Sequence, residues 1–270
     1  MIKDVTFGQY FRADSVIHRM DPRLKIVLML LLVIMLFICK GFASLGIFTL
    51  FTVMILVLSK VSVKLYFKNI KVIIPIVIFT SLLNLFYTQT GTEYPLFWNI
   101  SIYSGGISRA VFMSLRILLL ILISSVLTYT TTPNDITDAL ERLLKPLKFV
   151  GLGSAVHTVS MMMTIALRFI PTLIDETDKI MNAQKARGAD MESGGIIRRI
   201  KALLPILIPL LISSVRRAYD LAEAMECRCY NGGVGRQRMK QLKMSGRDYF
   251  SLAVCILLSA AVILTDIYIK

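Results

Sequence analysis

The sequence predicts an all-α integral membrane protein with about five transmembrane helices and long amphipathic helices on the cytoplasmic side. Three observations carry this. First, the 270 residues are 56% hydrophobic and only 18% charged, whereas soluble domains run about 45–50% apolar and about 25% charged. Second, the apolar residues gather into long uncharged stretches, and a membrane helix needs about 20 such residues. Third, the 31 Lys+Arg outnumber the 17 Asp+Glu, for a net charge of +14, and they sit between the apolar runs. That spacing favours a membrane surface over nucleic acid as the basic partner. Four cysteines, Cys39, Cys227, Cys229 and Cys255, make no disulfide framework in a chain of this length. No tag or cleavable signal peptide is evident.

Spans are expected near 26–40, 42–58, 72–88, 110–129 and 249–269. The first has a short uncharged core, which Lys25 and Lys40 extend by snorkelling. With the N-terminus inside, residues 1–25 form a cytoplasmic segment, 26–129 hold helices 1–4, 130–248 form a cytoplasmic region and 249–270 hold the last span. The cytoplasmic segments then carry 27 of the 31 cations, as the positive-inside rule requires. Two further apolar stretches, Phe149–Leu167 and Ala202–Val215, are placed at the membrane interface or against another protein, with a sixth span at Phe149–Leu167 as the alternative. If both crossed, the loop between them would carry Lys179, Lys185, Arg187, Arg198, Arg199 and Lys201 outside. Arg116 falls within the fourth span. Intramembrane charge is costly, and a backbone carbonyl is one available partner.

The cytoplasmic region reads as helical. Pro133-Asn134-Asp135 opens a short helix, with Asn134 or Asp135 as N-cap, that stops before Pro146. Ser154 is a candidate cap for the next helix. Pro171 kinks or restarts that helix near Thr172, and Gly188 is its expected C-cap. A last helix runs from about Arg198 to Arg228. No strand-like alternation is visible.

The two long helices end in related sequences. Ile180-Met181-Asn182-Ala183-Gln184-Lys185-Ala186-Arg187-Gly188 echoes Leu221-Ala222-Glu223-Ala224-Met225-Glu226-Cys227-Arg228-Cys229, with the arginines 41 residues apart. A cation in a last turn favours the helix dipole by about 0.3–1 kcal/mol, and this alone accounts for each arginine. Repetition with small neighbours raises a second reading, an interface arginine suited to bidentate carboxylate contact. Both readings stand at this level.

Other chemistry is weakly signalled. There is no phosphate-loop motif. Asp175, Glu176 and Asp178 do not share one helix face, so a dipole role at a helix start fits better than a metal site. Cys227-x-Cys229 lacks further zinc ligands. His18 and His157 have no evident partner. Met161-Met162-Met163 is an adaptable apolar surface or a packed stripe.

Four stretches resemble the transmembrane (T) components of energy-coupling factor (ECF) transporters, a branch of ATP-binding-cassette (ABC) importers. They are His18-Arg19-Met20-Asp21-Pro22-Arg23-Leu24-Lys25, Thr131-Thr132-Pro133-Asn134-Asp135-Ile136, Leu167-Arg168-Phe169-Ile170-Pro171 continuing to Ala186-Arg187-Gly188, and Ala224-Met225-Glu226-Cys227-Arg228-Cys229-Tyr230. The resemblance implies a multi-pass prokaryotic cell-membrane protein, N-terminus cytoplasmic, with two crossed coupling helices. It implies no catalysis and no cofactor bound directly by this chain, ATP and magnesium being used by the partners. Those partners are two cytoplasmic ABC ATPase subunits and one small substrate-binding membrane subunit, dedicated or shared, within the lipid bilayer and without nucleic acid. The transported compound is expected to be a vitamin or another micronutrient. Arg187 and Arg228 become the ATPase-docking arginines, with Ala186, Gly188, Cys227 and Cys229 as small neighbours. Cysteines replace the usual Ala and Gly of the second motif. Pro171, Pro205 and Pro209 are candidate hinges. The alternatives are a conventional ABC permease, which would show one coupling loop, and a membrane-embedded lipid transferase using the acidic cluster.

Overall fold

The computed structural model describes residues 10–88, 92–96, 100–146, 151, 153–189, 195–231 and 244–268. The order is α1 (Pro22–Ile38), α2 (Phe42–Ser59), α3 (Val63–Tyr87), β1 (Glu93–Leu96), β2 (Ile100–Tyr103), α4 (Ser104–Thr130), α5 (Pro133–Leu143), α6 (Gly153–Ala186), α7 (Ile196–Glu226) and α8 (Gly246–Tyr268). The chain divides into two compact units. One contains α1–α4, the hairpin and α8, and the other contains α6 and α7. The expected all-α membrane class holds. The antiparallel β1–β2 hairpin between α3 and α4 is a correction to the expectation of no strands. Its strands are too short for an alternation signal, and Pro95 lies in one of them.

In the first unit α1, α2, α4 and α8 share a core. Leu24, Leu28, Leu32 and Leu36 form an i, i+4 stripe on α1 and meet Leu45 and Phe48 of α2, Leu119 and Ile123 of α4, and Cys255 and Val262 of α8. Within hydrocarbon such helices associate through close packing and satisfied polar groups rather than hydrophobic burial. Two of the buried hydroxyls are accordingly bonded back to their own helices. Thr52 Oγ1 donates to Phe48 O at 2.9 Å, and Ser259 Oγ donates to Cys255 O at 2.8 Å. A second cluster joins Val61 and Tyr66 to Val126 and Tyr129 of α4. α3 otherwise leaves most of its apolar surface bare, including Val72, Ile76 and Phe79, as a lipid-facing helix does.

Polar side chains fix the helix ends. Asp21 caps α1 by accepting from Arg23 N at 2.9 Å. Asp248, at the start of α8, accepts from Asp21 N at 3.1 Å. The buried Lys25 Nζ donates to Thr130 O at the end of α4, at 2.9 Å. At the opposite end of α1, Arg116 donates to Cys39 O and lies 4.7 Å from the Phe112 ring centroid. The intramembrane arginine therefore satisfies a helix-terminal carbonyl. Asp266, near the end of α8, accepts from Lys40 N at 3.0 Å and Gly41 N at 3.1 Å. These ties run α1, α4 and α8 alternately through the unit, with the α4 exit beside the N-terminal segment. The α2–α3 turn lies there as well, since Tyr129 Oη donates to Leu65 O at 3.3 Å.

Six described helices are long and apolar enough to cross a membrane. They are α2, α3, α4, α6, the Lys201–Glu226 part of α7, and α8. The expected set agrees on α2, α3, α4 and α8. It differs in counting α1, which has 17 residues, and in leaving out α6 and α7.

Three local expectations are corrected. The α5 N-cap is Thr132, not Asn134 or Asp135. Its Oγ1 accepts from Asp135 N at 3.2 Å and donates to Asp135 Oδ2 at 2.7 Å, a side-chain N-cap with Pro133 in the first turn. α6 begins at Gly153, which puts Ser154 inside its first turn. It also runs unbroken through Pro171, so Asp175, Glu176 and Asp178 lie in mid-helix and cannot complement a helix start.

Candidate docking ends and the helix pair that carries them

α6 and α7 pack against each other. Their contacts give the direction of packing. Tyr230 Oη, just past α7, donates to Met161 Sδ near the start of α6 at 2.8 Å. Farther along, Ser213 Oγ and Arg217 Nη2 of α7 both donate to Glu176 of α6. Rising numbers on one helix meet falling numbers on the other, so the pair is antiparallel. Arg187 and Arg228 therefore lie at opposite ends.

The two ends are built alike. At the first, Ala189 N donates to Gln184 O and Gly188 N to Lys185 O, both at 3.0 Å. Gly188 has φ +83°. At the second, Tyr230 N donates to Met225 O at 3.1 Å and Cys229 N to Glu226 O at 2.8 Å. Cys229 has φ +54°. Both are Schellman caps with a left-handed residue after the arginine. Gly188 enters that region without a Cβ penalty. Cys229 enters it as a non-glycine residue, at a cost of roughly 1–2 kcal/mol. The cysteine substitution therefore leaves the cap's hydrogen bonds in place.

Ala186, Arg187 and Gly188 are exposed, and so are Cys227, Arg228 and Cys229. Among the described residues no ion pair holds either guanidinium. Each end thus offers a fixed cation between small exposed neighbours. Both cysteines are free thiols. Pro171 lies inside α6, and Pro205 and Pro209 lie inside α7. Each proline removes the hydrogen bond to the carbonyl four residues earlier, which leaves Leu167, Lys201 and Pro205 carbonyls without that partner.

Sequence reasoning missed two glutamate contacts. Glu176 joins α6 to α7 as described. Glu141, near the end of α5, accepts from Ser160 Oγ at 2.7 Å and meets His157 Nδ1 at 3.1 Å, both on α6. His157 therefore has a partner. The serine hydroxyl bonds the carboxylate and not the imidazole, so the three groups do not form a nucleophilic relay. The 41-residue echo carried a signal for the first contact, because it sets Glu176 and Arg217 in register with opposite charges. His18 also has partners. Its Nδ1 is 2.7 Å from Ser15 Oγ, and Nε2 is 2.9 Å from Phe11 O. Met161 is engaged by Tyr230, while Met162 and Met163 stay exposed.

Comparison with known proteins places the whole chain among its relatives. A family model described as "Cobalt transport protein" matches residues 13–241. The energy-coupling factor transporter transmembrane protein EcfT of Clostridium kluyveri is 50% identical, covering 99% of this chain and 99% of its own length. EcfT of Ruminiclostridium cellulolyticum is 47% identical, covering 98% of each. EcfT of Bacillus subtilis is 43% identical over 96% of this chain and 97% of its own. The chain belongs to this family, the transmembrane components of energy-coupling factor transporters.

Proposed function

We propose that this chain couples ATP hydrolysis by two cytoplasmic ABC ATPase subunits to movement of a separate, small substrate-binding membrane subunit. The observation that carries the reading is the pair of matched arginine-ended caps at opposite ends of one antiparallel helix pair. Two equivalent cations facing away from one another suit two equivalent partners. Arg187 and Arg228 dock the ATPases through carboxylate contacts, with Ala186, Gly188, Cys227 and Cys229 allowing close approach. The ATPases bind and use ATP and magnesium, and this chain contributes the lever.

Charge and the helix ties support the topology with a cytoplasmic N-terminus. α1–α4 and α8 alternate, and the N-terminal segment shares a side with the α4 exit. Placing that side in the cytoplasm puts 27 of the 31 cations there, as the positive-inside rule requires. α6 and α7 then lie at the cytoplasmic interface of a prokaryotic cell membrane. The part of α6 from Arg168 onward, with Arg168, Asp175, Glu176, Asp178 and Lys179, is costly to place in hydrocarbon. The exposed α7 residues Leu203, Leu204, Leu207, Ile208 and Leu211 supply a broad apolar contact for the substrate subunit. Pro171, Pro205 and Pro209 supply local bending. A vitamin or another micronutrient is the cargo, selected by the separate subunit.

Affinity purification in mild detergent tests this. Two ATPases and one small membrane protein should co-purify with the chain. Recovery of the chain without any ATPase, even after crosslinking, would overturn the reading.

A further inference from the structure

The contact between Glu176, Ser213 and Arg217 has a place in the helix pair that local stability does not explain. Arg187 lies 11 residues beyond Glu176, and Arg228 lies 11 residues beyond Arg217. The contact thus joins equivalent positions of the two echoing helices. At about 1.5 Å per residue each arm is about 16 Å long. The arms point in opposite directions because the helices are antiparallel. The two guanidinium-bearing ends are therefore equally distant from a shared crossing point, and at most about 33 Å apart along the pair.

On each helix the prolines lie N-terminal to the contact, and the α6 segment before Pro171 meets the Arg228 end through Met161 and Tyr230. Pro171 precedes Glu176 on α6, and Pro205 and Pro209 precede Ser213 and Arg217 on α7. Pro209 lines the same cleft as Glu176, Ser213, Arg216, Arg217 and Asp220. Bending at any proline leaves both segments from the crossing to the tips intact. The exposed leucines of α7 precede the contact as well. The two arginine-bearing arms thus extend in opposite directions from one polar contact, and neither contains a proline between the contact and its tip. Charge-assisted hydrogen bonds with a carboxylate are the strong, directional kind. They resist sliding of one helix past the other, which apolar packing alone permits.

We propose that Glu176, held by Arg217 and Ser213, is a positioning residue that pins the two coupling helices so that both docking ends move as one lever. The proposal rests on the docking reading above. A pinning role predicts that loss of Glu176 leaves ATP hydrolysis running and wastes its work.

The test uses the whole transporter in liposomes and reads cargo transported per ATP hydrolysed, with the number of bound ATPases as a second readout. Glu176→Gln and Arg217→Gln should each keep both ATPases and their hydrolysis. Each should lower the transport-to-hydrolysis ratio on the order of tenfold, as expected for losing the coupling between contacting residues. The exchanged pair, Glu176→Arg with Arg217→Glu, should recover most of that ratio, which a merely destabilised helix would not do. An unchanged ratio in the single variants overturns the proposal. So does an exchanged pair no better than the singles, or loss of the ATPases in the single variants, which would assign the contact to folding alone. Charge reversal at Arg187 and Arg228 separates the two readings. If the ATPases stay bound in those variants while the pin variants lower the ratio, the docking reading fails alone. If the ATPases are shed there while the pin variants keep the ratio, the pin fails alone.

Discussion

The two caps differ at one residue, and the difference has a calculable consequence. Cys229 holds φ +54° where Gly188 holds +83°. A left-handed non-glycine residue costs roughly 1–2 kcal/mol. Glycine returns about 0.5–1 kcal/mol of this through its greater freedom in the open chain. Replacing Cys229→Gly should therefore stabilise the second cap by about 0.5–1 kcal/mol, or about 2–5-fold in its opening equilibrium. The reporters are the Cys229 and Tyr230 amides, which donate to Glu226 O and Met225 O. Their hydrogen exchange tracks local opening, so a peptide spanning residues 225–231 should exchange about 2–5-fold more slowly. The reverse change, Gly188→Cys, meets no atom within 4 Å at the new Cβ. Only backbone strain operates there, and the Gly188 and Ala189 amides should exchange faster by the same factor. Equal exchange before and after both substitutions would refute the left-handed cap and with it the equivalence of the two ends.

Two further predictions concern the membrane unit. A Cβ on Gly106 would lie 2.9 Å from Leu85 O and 3.3 Å from Thr88 O, backbone atoms that cannot turn aside. Gly106→Ala should destabilise by about 1–3 kcal/mol, read as a lower detergent melting temperature, whereas Gly46→Ala, with nothing within 4 Å, should not. His18 is held below its ordinary pKa of 6.5 mainly by burial, partly opposed by its hydrogen bond to Phe11 O. Its contribution is then fully present above the unfolded value and is lost as pH falls through the folded one. Melting should fall between about pH 7.5 and about pH 5.5, and His18→Gln should shrink that difference; an equal drop in the variant would exclude His18 as the cause.

Much of this was legible in the residues. Uncharged stretches marked α2, α3, α4 and α8 as candidate membrane helices. Gly188 announced its cap because glycine is the usual left-handed residue. Cys229 did not, because nothing in a cysteine signals φ above zero; only its register with Gly188 across the echo does. The glutamate contacts were hidden for a different reason. Glu141 of α5 meets Ser160 and His157 of α6, and Glu176 of α6 meets Arg217 of α7, so tertiary packing decides both. Arg116 and the Cys39 carbonyl are distant in sequence in the same way. Reading Pro171 as a restart misplaced the acidic cluster, since tertiary packing carries α6 through that proline. The short hairpin lay below the reach of any periodicity.

The claim that most depends on two equivalent ends is ATPase docking by Arg187 and Arg228. The direct measurement is the number of ATPase subunits retained by the purified complex when each arginine is separately reversed, Arg187→Glu and Arg228→Glu. Reversing an interface charge of this kind costs about 2–5 kcal/mol. Each variant should therefore lose or weaken one ATPase while inserting normally in the membrane. Two ATPases retained at full occupancy in both variants, with wild-type transport, would contradict the account.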